Sequence, residues 1–127
     1  MKYALSLASL LAALAVAMGA IGAHMLPIDT TVREKSMFET AVLYHFFHSF
    51  ALLFVYILHS QNVLTLAKAK ILSVTFLSGL VLFSFSIYGI VLFQLTYLSK
   101  VTPIGGMFFI ASWLLLAVFS IVKSESL

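Results

Sequence analysis

Residues 3–23 of this chain hold twenty-one positions without a charge, and similar apolar stretches run roughly over 41–60, 69–99 and 104–122. About 20 apolar residues of helix cross the hydrocarbon core of a bilayer. Backbone amides in lipid must find partners within their own segment, so stretches of this kind read as helices and not as strands. The pattern predicts an all-α fold: an integral membrane four-helix bundle of antiparallel, up-down topology. A single transmembrane domain fills 1–127, with helices at about 3–23, 41–60, 69–97 and 103–122 and one long outer loop over 24–40.

Polar punctuation refines the ends. Pro27 breaks the chain after the first span, Asp29-Thr30-Thr31 offers a helix cap, and 32–37 has the pattern of a short amphipathic turn or two. The third connection, near 98–102, is very short; Thr102 is placed to cap the last helix, with Pro103 at its first position. A secretory signal also opens with a cation and an apolar run, but this run continues to Ala23, beyond a signal's usual core. It is expected to remain as the first span.

Composition supports the membrane reading and removes other classes. The chain is 63% hydrophobic and 9% charged, against about 25% charged in soluble domains. Its net charge of +3 comes from cations scattered singly near helix ends, so no nucleic-acid partner is expected. There is no cysteine, which removes thiolate metal sites and disulfides. With four spans, Lys2, Lys68, Lys70 and Lys123 share one side, and Arg33, Lys35 and Lys100 the other. The excess of cations on the first side predicts a multi-pass protein with both termini cytoplasmic.

Small residues mark packing faces. Ala8, Ala12, Ala15, Gly19 and Gly22 recur at spacings of four and three, which keeps them on one side of the first helix. That stripe serves either packing within one chain or a homo-oligomer built through the Ala8/Ala12/Ala15/Gly19 face. Thr75, Ser78, Gly79, Ser86 and Gly89 repeat the idea more loosely on the third helix.

The remaining polar residues gather by connectivity at the outer end: His24, Glu39, Tyr44, His45 and His48, then Ser84, Ser86 and Tyr88, then Thr102, Gly105 and Gly106. Four segments carry a resemblance here: Gly19-Ala20-Ile21-Gly22-Ala23-His24, Glu39-Thr40-Ala41-Val42-Leu43-Tyr44-His45-Phe46-Phe47-His48-Ser49, Leu82-Phe83-Ser84-Phe85-Ser86-Ile87-Tyr88 and Thr102-Pro103-Ile104-Gly105-Gly106. In this order they resemble the YgdD/YwdK-type family of small bacterial membrane proteins. Phe85 and Ser49 depart from that pattern. The resemblance implies a four-helix inner-membrane protein and brings no activity with it.

Three chemistries are open to these residues. His24, His45 and His48, with Glu39, could bring a metal or haem to the outer end. Against that, Glu39 and His45 would lie about 120° apart on a helix, and no di-iron Glu-x-x-His pairing is present; the alternative is a network of hydrogen bonds. A transport path would need polar residues through the full thickness, and Ser112, Ser120, Tyr56 and His59 are too few. A phosphate or carboxylate could meet free amides at the start of the last helix, where Gly105 and Gly106 leave the turn bare; the alternative is close packing there, or docking of Glu39. The sequence thus predicts a non-enzymatic membrane protein without a cofactor, partnered by membrane lipids, with Glu39 capping the last helix or bonding His24 or His45.

Overall fold

Thr31 fixes the start of the longest helix. Its hydroxyl accepts from the Glu34 amide at 3.1 Å, and the Glu34 carboxylate accepts from the Thr31 amide at 2.8 Å. This reciprocal box satisfies two amides that a helix start otherwise leaves without partners. The helix that follows runs Val32–Ser60, 29 residues, or about 43 Å at 1.5 Å per residue. A hydrocarbon core is about 30 Å thick, so the charged first turns extend past it. The long outer loop over 24–40 is therefore corrected to a connection over 25–31, and the second span starts well before 41. Arg33, Glu34, Lys35 and Glu39 marked a polar segment, but all of them are helix-compatible.

The computed structural model describes residues 1–122, so Lys123 lies outside the described residues. Its elements are α1 (Ala4–His24), α2 (Val32–Ser60), α3 (Leu66–Leu80), a π-helical turn (Val81–Phe85), α4 (Ser86–Phe93), a 3-10 turn (Thr96–Lys100) and α5 (Thr102–Ile121). The segment from α3 through α4 is one continuous span, Leu66–Phe93, and the four spans are each long and apolar enough to cross a membrane. The chain is a four-helix membrane bundle. Its third helix is corrected from 69–97: Thr65 caps it earlier, accepting from the Lys68 amide at 3.3 Å, and Gln94 ends it in a left-handed conformation, φ 55°. The chain then folds back, with Leu98 lying over Gly89.

Thr102 does not cap α5. The Val101 carbonyl takes the amides of Ile104 and Gly105 at 3.0 and 3.3 Å, and the 3-10 turn leads straight into the helix. Pro103 sits in the first turn as its fixed φ suits.

Packing follows the small residues. Ala8 and Ala15 are fully buried where α1 lies on α2, so this face of α1 is occupied within the chain. Phe76, Leu72, Leu80 and Val55 fill the centre. On the other side α5 packs against α3 and the π turn, and here backbones come closest. A Cβ at Gly105 would fall on the backbone of Leu82 and Phe83, and one at Gly79 on the Phe109 ring. A Cβ at Gly106 would meet only the Phe83 ring, at an ordinary 3.8 Å. Gly105→Ala is thus expected to lower unfolding stability in detergent by about 1–3 kcal/mol, the usual range for overpacking. Gly106→Ala should be neutral or up to about 1 kcal/mol stabilising. Thermal unfolding of the two variants checks this, and equal losses would contradict the assignment of the crossing to Gly105.

Candidate functional site

The polar residues of the outer end do not meet in one place. Most of them divide among the helix interfaces and find short-range partners there. Ser84, fully buried in the π turn, donates to the Ala41 carbonyl on α2 at 2.8 Å. Ser86 and Thr102 join their hydroxyls at 2.6 Å and tie α4 to the start of α5. His45 is fully buried, with Nδ1 2.9 Å from the Tyr88 hydroxyl. Its Nε2 makes no hydrogen bond among the described residues, although the Leu11 backbone lies near the ring.

His48 faces the other way, toward α5. Its Nδ1 is 2.7 Å from the Tyr44 carbonyl, and the Trp113 indole N–H donates to its Nε2 at 3.1 Å. An indole nitrogen only donates and a carbonyl only accepts, so the proton sits on Nδ1 and Nε2 is the acceptor. The ring also lies flat on Phe109, centroids 3.6 Å apart. Neither nitrogen has a lone pair left for a metal.

His24 and Glu39 stay outside these interfaces. Both are exposed, and neither makes a hydrogen bond or an ion pair among the described residues. The expectation that Glu39 caps α5 or bonds His24 or His45 is therefore corrected. The α5 amides it would have met are already taken by Val101, and the unbroken α2 holds Glu39 beside a cavity of about 290 Å³ lined with Gly19, Gly22 and Phe38 of the α1–α2 side. The possible metal set His24, His45 and His48 is likewise not assembled: no group of three His, Asp or Glu gathers among the described residues. The bare first turn of α5 is not an anion cradle either, since Gly105 is filled by the π-turn backbone.

A different feature emerges between α2 and α5. These helices touch through side chains, and a cavity of about 620 Å³ opens beside the contact. Its walls are Leu43, Tyr44, Phe47 and His48 from α2, Phe83 from the π turn, and Pro103, Gly106, Met107, Phe109, Ile110 and Trp113 from α5. Tyr44 stacks on Phe83 at 4.9 Å and Phe83 meets Phe109 edge to face at 5.7 Å, so aromatic rings set the floor. Trp113, Phe83 and Phe109 were not singled out by the sequence reading. Only Trp113 carried a signal: a lone tryptophan inside an apolar helix has one N–H to place.

The family described as a protein of unknown function, DUF423, matches residues 18–106. The chain belongs to this family. Similar members include a UPF0382 membrane protein of Staphylococcus aureus, 35% identical over 118 residues (93% of this chain and 94% of the relative). The UPF0382 membrane protein YwdK of Bacillus subtilis is 32% identical over 121 residues (95% and 98%). No solved structure matches the chain. The DUF423 match ends at 106, so it includes the π turn and the Gly105 crossing but not Trp113.

The His48 bond to Trp113 gives a direct test. Removing an interhelical hydrogen bond in a membrane bundle costs about 0.6–1.7 kcal/mol. His48→Ala is expected to lower the melting temperature in detergent and to change Trp113 emission, which is readable because the chain has one tryptophan. His59, whose Nδ1 contact is to the adjoining turn at Leu64, should tolerate alanine with little change in either signal. Identical behaviour of the two variants would count against the His48 assignment.

Proposed function

We propose that this DUF423 protein is a non-enzymatic component of the bacterial cell membrane, with both termini cytoplasmic, that holds one acyl chain of a membrane lipid in the groove between α2 and α5. The groove itself carries this reading. Its volume of about 620 Å³ falls within the range of about 300–1,000 Å³ usual for small-ligand sites. From Pro103 to Trp113 it follows ten residues of α5, about 15 Å of depth from the end of the helix inward. Leu43, Phe47, Met107 and Ile110 on its rim are exposed, so a chain can enter sideways from the bilayer. The non-enzymatic reading is supported by the commitment of both His48 nitrogens and by the enclosure of His45 and Tyr88 away from the groove. Orientation rests on the cations: Lys2, Lys68, Lys70 and Lys123 on the terminal side against Arg33, Lys35 and Lys100.

Gly106→Leu tests the groove, because position 106 has room for a side chain and its branch would enter the cavity. Native mass spectrometry of protein purified in mild detergent is expected to show one lipid equivalent on the parent and little or none on Gly106→Leu, with both melting alike. A parent free of lipid, or equal retention by the two proteins, would overturn the proposal.

A further inference from the structure

We infer that the Tyr44 hydroxyl is the polar recognition element of the groove and that it selects an ester-linked glycerolipid by donating to an acyl ester carbonyl. This rests on the groove being a lipid site and adds which lipid class it prefers. The argument begins with what the wall has left to offer. His48 and Trp113 satisfy each other, and the second His48 nitrogen is used by the Tyr44 backbone. Pro103 has no N–H. Leu43, Phe47, Phe83, Met107, Phe109 and Ile110 contribute no polar side-chain group beyond a thioether. Tyr44 alone keeps a strong donor, its hydroxyl making no hydrogen bond among the described residues, at 39% exposure.

The ring carrying that hydroxyl is held in place. It stacks on Phe83 at 4.9 Å, leans on Phe109 at 6.2 Å and on His48 at 5.8 Å, and its backbone carbonyl is fixed by His48. Depth then selects the acceptor. The apolar run of α2 begins at Ala41, and Tyr44 lies three residues further in, about 5 Å along the axis. Helical side chains lean back toward the N-terminus, so the long tyrosine side chain returns its hydroxyl toward the boundary where the ester carbonyls lie, the level at which tyrosine is enriched in membrane proteins. A neutral phenol there meets a neutral carbonyl acceptor without desolvating a charge.

The test compares a diacyl phosphatidylglycerol with its ether-linked analogue carrying chains of the same length, added in equal amounts to delipidated protein and read by native mass spectrometry. The parent is expected to favour the ester lipid by about two- to tenfold, the ratio for one net hydrogen bond. Tyr44→Phe should bind both lipids equally and melt as the parent does, because its ring contacts remain. A preference that survives Tyr44→Phe, or no preference in the parent while both lipids bind, would overturn the inference and leave the groove intact. Binding of neither lipid to the parent, or equal binding by Gly106→Leu, would overturn the groove and the inference together.

Discussion

The bundle depends on how α5 is seated against the π turn. The Gly105 backbone approaches Leu82 and Phe83 so closely that a single methyl group would not fit. On its other side the same turn is tied to α2 by the Ser84 bond to the Ala41 carbonyl. A π turn carries one residue more than the regular helix around it and is seldom retained without a use. Here it sets Ser84 toward α2 and Phe83 toward the groove, where Phe83 stacks on Tyr44. The turn thus joins α2 and α5 indirectly, and the space left between them is the groove.

The histidines show why proximity in sequence was a poor guide to a shared site. His45 and His48 are three residues apart, which on an α-helix is about 60° of rotation. That angle is small enough to suggest a common face and large enough to put the rings in different interfaces. His45 enters the enclosed side with Tyr88, and His48 turns to Trp113 and Phe109. Polar groups in hydrocarbon are costly unless satisfied, and each seam of the bundle supplies partners to its own, leaving His45 Nε2 as the buried exception among the described residues. The result is several short-range bonds in place of the single cluster that connectivity suggested.

The spans, their up-down order and the packing role of Ala8 and Ala15 were legible because apolar length and small-residue spacing report directly on a helix in lipid. So was a cap at Thr31, whose Thr-x-x-Glu spacing was already in the sequence. The continuity of α2 through Arg33 and Glu39 was hidden, because charge argues against lipid burial but not against helix. Gly105 and Gly106 looked equivalent, yet only the crossing angle of α5 decides which one faces a backbone. Nothing local announces a π turn, and the His48–Trp113 bond joins residues 65 apart, so both needed the assembled fold.

The distribution of small residues gives the bundle two kinds of interface. α1 meets α2 through buried alanines, and α5 meets α3 and the π turn through Gly79 and Gly105. At both, close approach lets van der Waals contact hold the helices in the absence of a hydrophobic drive. Between α2 and α5 there is no such crossing. His48, Phe109, Trp113 and Tyr44 hold that seam through side chains alone, and side chains can change rotamer without moving a helix axis. The seam that carries the groove is therefore the place where the bundle can admit a ligand with least disturbance, because the close crossings on either side stay shut while the exposed rim of Leu43, Phe47, Met107 and Ile110 adjusts over the stacked aromatic floor.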